Sequence, residues 1–474
     1  MRFAHPFARS LFALCAILFT FHCAAAELPA TVKAALKRAG IATDAVGVEV
    51  RQVGGGKALL THNAEASFSP ASTMKLVTTQ AALELLGPTF TWKTQAFAAG
   101  SVSGDTLQGD LVFKGSGDPK LVTENFWLFL RQIRDAGVRD IHGDVVLDRS
   151  AFEHVASDPA KFDGDPSKPY NAAPDALLLN YQSLRFQFNP STLGGASQVS
   201  IDPPVADFDV AQPVWAKGEC GDWQSRLGTV IGDSGVRFTG SYAVACGIKS
   251  WYVVPYQMSA DQYFSLVFRK MWRDLGGRFS GRVIDGTVPS DAHLIATWES
   301  PPLAEAIRDM NKFSNNLMAR HLLLTLAAQG DPATPASAAR GAEVVKSWLA
   351  GRGIDAPELV IDNGSGLSRA ERIAPANMGR LLQEVWRSPL MPEFISSLPL
   401  VGYDGTMRRR LSDADVAGYA HIKTGTLSEV KTMAGYLVAA SGKTYAVVFF
   451  INHPNAGAGG PAQDALLQWL FTNG

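Results

Sequence analysis

Phe68-Ser69-Pro70-Ala71-Ser72-Thr73-Met74-Lys75, residues 68–75, runs directly into a segment whose periodicity predicts a helix to Leu86. Met74, Val77, Ala81 and Leu85 recur at helical spacing and define its expected buried face, and Gly87-Pro88 ends it. In this Ser-x-x-Lys arrangement the serine opens the helix and the lysine follows one turn on, on the same face. An ammonium is normally useless as a base, but burial and neighbouring cations lower its pKa. A neutral Lys75 then takes the Ser72 proton as the hydroxyl attacks a carbonyl. The Ser72 N–H, at a helix N-terminus, faces the developing oxyanion. Alone the motif decides little, because an N-capping serine and a solvated lysine spell the same letters.

Two further motifs follow in order. Ser314-Asn315-Asn316 offers a second hydroxyl for a proton relay and an amide, Asn316, to hold both a lysine and a substrate amide. Read plainly, Ser314 is an N-cap for the helix after it. Lys423-Thr424-Gly425, with Thr426 next, is expected at the end of a strand over residues 419–423. A strand edge binds an extended peptide by added main-chain pairing, and Gly425 permits close backbone approach. Lys423 and the hydroxyls of Thr424 and Thr426 suit a carboxylate, and the Thr426 N–H suits an oxyanion. The plain alternative is an edge-strand lysine that guards against aggregation. Each motif falls in the local context its chemistry needs, and together they carry the reading.

Outward from these motifs, a helix is expected over residues 28–38 and a hairpin from strands 46–53 and 58–61 around Gly54-Gly55-Gly56. From about residue 90 to 295 short alternating segments separated by Gly, Asp, Asn and Pro read as largely β, with 124–136 the one strong helix. Helical periodicity returns at 304–310, 314–328, 339–350 and 378–385; strands at 419–423, 432–439 and 444–451 and a helix at 463–471 follow. The expected fold is an α/β domain assembled from residues 27–90 and 296–474, with a β-rich insert, 91–295, read as one region or as two modules.

Composition sets the boundaries. Of 474 residues, 46% are apolar and 18% charged, which excludes a disordered or fibrous chain. A net charge of -1 leaves no basic footprint for nucleic acid. Residues 1–26 read as a cleavable leader: Arg2 and Arg9, an apolar run from Leu11, then Ala24-Ala25-Ala26. Phe21 and His22 are too bulky for a lipobox at Cys23, and no later stretch is long enough for a membrane helix. The expected location is periplasmic. Without the leader, Cys220 and Cys246 remain, as one disulfide or as two buried thiols. The remaining histidines show no metal-ligand spacing, so no metal or cofactor is expected, and His421 reads as packing. Ser365, between two glycines, reads as a turn residue.

The three motifs together resemble the low-molecular-mass class C penicillin-binding proteins, D-alanyl-D-alanine carboxypeptidases and endopeptidases. Gly115-Ser116-Gly117-Asp118-Pro119, the run 362–369, Gly405-Thr406-Met407-Arg408-Arg409-Arg410 and the run 423–436 extend the match. The resemblance implies a discontinuous penicillin-binding (serine β-lactamase-like) transpeptidase domain. It also implies peptidoglycan stem peptides as substrates and β-lactams as covalent inhibitors. It makes Ser72 the acylated residue, Lys75 its base, and Ser314 with Lys423 the relay to the leaving amine, with Asn316 on the substrate amide. It places Arg369 on the stem-peptide side chain, where a solvated loop arginine is the alternative. It places Asp165, with Asp163 competing in the same loop, on the diaminopimelate ammonium. Asn363 interrupts the family's Asp-Gly-Ser-Gly after Asp362. A β-lactamase and a non-catalytic peptidoglycan-binding protein share the same three motifs as alternative readings.

Overall fold

In a computed structural model, which describes residues 27–55, 57–155, 157–191 and 196–474, five antiparallel strands form the central sheet. Their order is Ala420–Leu427, Val430–Val438, Thr444–Asn452, Val46–Gln52, Ala58–His62. The apolar run of Thr444–Asn452 follows from its position, because it is buried on both faces. Tyr445, Val447, Phe449 and Ile451 join one core, with Leu466, Leu467 and Leu470 of the last helix, Gly460–Asn473, and Val32 and Leu36 of the first, Ala30–Arg38. Ala446, Val448 and Phe450, on the opposite face of the pleat, join Met74, Val77, Leu323 and Leu382 in a second core. Each such aromatic or aliphatic side chain contributes about 2 kcal/mol by burial. The leader expected over residues 1–26 lies outside the described residues.

The helix after the nucleophile motif, Met74–Leu86, runs through this second core and is buried nearly all round. Leu85 departs from expectation: it is 47% exposed, while Leu76, Ala82 and Leu83 share the interior with Met74 and Val77. Helices Asn316–Gly330, Ala338–Gly351 and Pro375–Arg387 complete the layer. Met391–Ser397, a short helix not anticipated from the sequence, follows them.

The stretch between Trp92 and Ser300 leaves and returns on paired strands. Lys93–Ser103 and His293–Glu299 are antiparallel, with Lys93 opposite Glu299. They belong to a seven-stranded sheet whose core packs Phe113 edge-on or tilted against Phe126, Phe129, Phe264 and Phe268. Two smaller sheets lie beyond it. Thr123–Asp135 matches the expected helix, but Ala260–Asp274 is a second one, where only strands and loops were expected. Its start is a capping box: Ser259 Oγ accepts from the Gln262 N–H at 3.1 Å and the Gln262 side chain accepts from the Ser259 N–H. Cys220 and Cys246 are disulfide-bonded, which settles the choice left open by the sequence. Among the described residues no helix is long and apolar enough to cross a membrane.

Candidate active site

Pro70-Ala71-Ser72-Thr73 forms a tight turn of 3₁₀ helix that feeds straight into Met74–Leu86. Ala71 sits at φ 44°, in the left-handed region that disfavours a β-carbon, and the surroundings hold it there. Thr432 Oγ1 and Thr73 Oγ1 both donate to the Pro70 carbonyl at 2.7 Å. Gly366 and Gly425 press on the turn from two sides. A β-carbon on Gly366, itself at φ 82°, would fall 1.9 Å from the Ala71 oxygen; one on Gly425 would fall 2.8 Å from the Ser72 nitrogen. Only glycine fits in either place. The serine is thus delivered on a clamped turn between two distant segments.

One turn on, Lys75 has no solvent exposure. Its Nζ lies 3.1 Å from Ser72 Oγ, donates to Asn316 Oδ1 at 2.6 Å, and donates to the Ser365 carbonyl. None of these partners is a carboxylate. Burial and the nearby Lys423 hold its pKa well below the usual lysine value, against a smaller opposing pull from Glu371. Glu371 is itself buried and its acidity is weakened by that burial. Its Oε1 accepts from the backbone N–H groups of Asp362, Asn363 and Gly364, which fixes the loop that presents the Ser365 carbonyl.

Lys423 is also fully buried; burial lowers its pKa to about 7. Its Nζ donates to Ser314 Oγ and to the Thr424 carbonyl, both at 2.8 Å. Here two expectations are corrected. Ser314 does not cap a helix: it sits at φ 57°, and Asn315 is the N-cap, its Oδ1 accepting from the Met318 N–H at 3.0 Å. Lys423-Thr424-Gly425 does not end its strand, which continues through Thr426 to Leu427. That strand is one of the two outer strands of the central sheet. Its free edge is half covered, since the Ile422 N–H donates to the Pro399 carbonyl at 2.8 Å and Ala420 accepts from the Val401 N–H at 2.9 Å. Because N–H groups alternate along a strand, those of Thr424 and Thr426 share the edge of Ile422, beyond where the covering segment stops.

Ser72, Ser314, Asn316, Thr424, Gly425 and Thr426 line one cleft of about 430 Å³, with Phe162, Asp163, Tyr170, Leu367, Arg369 and Thr406 on its remaining walls. Lys75 and Lys423 reach it from beneath through Ser72 and Ser314. Arg369 reaches over the Phe162 ring, 5.4 Å from its centre, and donates to Ser428 Oγ at 3.4 Å. Asp165 is not on the cleft wall; Asp163, its competitor, is. The Asp165 carboxylate turns back on its own loop, accepting from Ser167 N and Oγ and pairing with Lys168, while Asp163 accepts from Tyr170 Oη at 2.6 Å and Asn171 at 2.8 Å. Thr406, Glu371 and the Ser365 carbonyl were not singled out for the site from sequence. Among the described residues, those lining a larger hollow of about 590 Å³ around Arg149 include no lysine.

An alcohol against a buried amine, a second hydroxyl against a second buried amine, and open N–H groups on a strand edge form the layout for acyl transfer. The D-Ala-D-Ala carboxypeptidase 3 (S13) family model matches residues 28–472. The chain belongs to that family. It is a serine-type D-Ala-D-Ala carboxypeptidase, a hydrolase of the penicillin-binding protein class. It is 27% identical over 419 residues to D-alanyl-D-alanine carboxypeptidase DacB of Haemophilus influenzae, covering 87% of this chain and 86% of that one. It is 28% identical over 467 residues to the D-alanyl-D-alanine carboxypeptidase of an Actinomadura species, covering 93% and 84%. The crystal structure of penicillin binding protein 4 (dacB) from Haemophilus influenzae superposes with a TM-score of 0.76 at 24% identity, over 93% of this chain and 99% of that one.

Proposed function

We propose that this carboxypeptidase works through an acyl-enzyme at Ser72, and that its substrates are the stem peptides of peptidoglycan. The observation that carries the reading is Lys75, a solvent-excluded amine 3.1 Å from Ser72 Oγ whose direct partners include no carboxylate. Uncharged, it takes the Ser72 proton as Oγ adds to the carbonyl of the penultimate D-alanine. The oxyanion that forms meets the N–H groups of Ser72 and Thr426. Asn316, whose oxygen is held by Lys75, turns its nitrogen to the peptide. Ser314 protonates the departing amine and is resupplied from Lys423 at 2.8 Å. Lys423, Thr424 and Thr426 hold the carboxylate of the leaving residue. Water then hydrolyses the ester.

The leaving amine is free D-alanine in the carboxypeptidase reaction and a cross-linked side-chain amine in the endopeptidase reaction. The same relay from Ser314 serves both. Arg369 and Asp163, on the outer walls, face the rest of the stem peptide. β-Lactams mimic the acyl donor and trap Ser72. The proposed setting is the periplasm, an oxidising compartment in which the Cys220–Cys246 bond persists. Purified protein incubated with uncross-linked and cross-linked muropeptides, with products resolved by mass, is expected to release D-alanine from the first and monomers from the second. Ser72→Ala is expected to release neither; release that persists in the variant would refute the assignment.

A further inference from the structure

Beside Thr424, which is assigned above to the leaving carboxylate, stands a second hydroxyl that the mechanism has not used. Thr406 Oγ1 lies 2.7 Å from Thr424 Oγ1, and both side chains line the cleft. A hydroxyl has one proton to give. If Thr424 gave its proton to Thr406, it would offer a carboxylate only lone pairs, and the two would repel. Donation in the other direction, from Thr406 to Thr424, leaves the Thr424 proton free for the substrate and polarises it.

The segment that carries Thr406 is anchored more firmly than a surface turn requires. Asp404 Oδ1 accepts from the Leu400 N–H at 2.7 Å, and its Oδ2 accepts from Lys312 Nζ at 2.6 Å. Lys312 is buried, ends the helix Leu303–Lys312, and stands two residues before Ser314. The same segment supplies Pro399 and Val401, which cover the strand edge as far as Ile422. One loop therefore closes the edge on one side of Lys423 and places a hydroxyl at the first open residue on the other.

We propose that Thr406 is a positioning residue for the substrate's terminal carboxylate: it donates to Thr424 Oγ1 and turns the Thr424 O–H into the cleft, with the Asp404–Lys312 pair holding it in place. The inference rests on the function proposed above and adds to it a source for the preference for a free carboxyl end. The consequence is that discrimination between a carboxylate and its uncharged equivalent depends on a residue that does not itself touch the substrate.

The test compares Thr406→Val, which keeps shape and loses the hydroxyl, with Thr406→Ser, which keeps the hydroxyl. Each is assayed on a peptide ending in D-Ala-D-Ala and on the same peptide with its C-terminus amidated. For Thr406→Val, kcat/KM on the free acid is expected to fall ~10-fold, mainly through KM, as for loss of one charge-assisted hydrogen bond. Turnover of the amide and the thermal unfolding midpoint should stay as in the wild type, and Thr406→Ser should restore the acid preference. Equal losses on both peptides, or an undiminished preference for the acid in Thr406→Val, would overturn the proposal. Penicillin labelling of Ser72 in the same samples separates the two levels. Labelling with an unchanged acid preference sinks the Thr406 role alone, and absent labelling in the wild type sinks the function on which it rests.

Discussion

Two groups of cations, one around Arg149 and one in the cleft, are built in opposite ways. Around Arg149, three carboxylates converge: Asp175 at 2.9 Å, Asp261 at 2.6 Å and Asp285 at 2.8 Å. Despite burial the guanidinium is held more firmly charged than usual, by Asp175 and Asp261 above all. In the cleft, Lys75 and Lys423 are fully buried and bond to hydroxyls, an amide and carbonyls instead. Only Glu371, weakly and at Lys75, opposes the effect of burial there, so both amines move toward the neutral form. A compensated cation fastens elements together. An uncompensated one is poised to exchange its proton, and that contrast points to the chemistry better than cavity size, since the larger hollow is the one at Arg149.

The sharpest way to break the contrast is to make the uncompensated cation permanent. Lys75→Arg keeps a positive donor near Ser72 and Asn316 but removes the ability to accept a proton. Acylation by penicillin is expected to slow ~10²–10⁴-fold, the usual contribution of a general base, measured by stopped-flow or mass-resolved time course. A variant that acylates at the wild-type rate would mean Lys75 is only a spacer.

At the other cluster the expected effect is on stability alone. Arg149→Met strands Asp175 among groups of its own sign. The expected loss is roughly 2 kcal/mol, below that of a fully buried pair because Asp285 is largely exposed. Denaturant melts read the loss, while kcat per folded molecule should not change. A selective fall in kcat would tie the Arg149 cluster to the reaction and erase the distinction.

The smallest effect has a sign fixed by linkage. Lys423 is depressed from 10.5 to about 7 on folding, so the unfolded chain holds its proton more tightly between those values. The cost of burying it is complete below pH 7 and fades as pH rises toward 10.5. Lys423→Met, inactive for lack of the relay, is therefore expected to be more stable than wild type by about 1 kcal/mol at neutral pH and below. The gain should shrink on the alkaline side. A gain that grew with pH would show that Lys423 folds as an ammonium.

How much of this was legible in the sequence varies with distance along the chain. Ser72 and Lys75 share one helical turn, and Lys423 to Thr426 share one strand, so local period and motif revealed them. The alternating strands of the central sheet were equally plain, and the close backbone approach expected at Gly425 is made to the Ser72 turn, although the strand runs on to Leu427. Ser314-Asn315-Asn316 offers three capping residues in a row, and only Lys423, 109 positions on, decides that Ser314 is withdrawn from capping. The Ser365 carbonyl that holds Lys75 lies 290 residues away, and its loop is set by Glu371. No local pattern carries such a contact. The helix Ala260–Asp274 was readable: Ser259 and Gln262 spell a capping box, and Phe264, Val267, Phe268 and Met271 repeat at helical spacing. In the loop of Asp163 and Asp165 the sequence favoured Asp165 with Asp163 competing, and turn geometry, which the letters do not fix, puts Asp163 on the cleft wall.

The measurement that bears most directly on the account is peptide-mapped mass spectrometry of the wild type and Ser72→Ala after exposure to penicillin. One penicilloyl adduct on the peptide containing Ser72, absent from the variant, is the predicted result. An adduct on any other residue, or one that persists in Ser72→Ala, would contradict it.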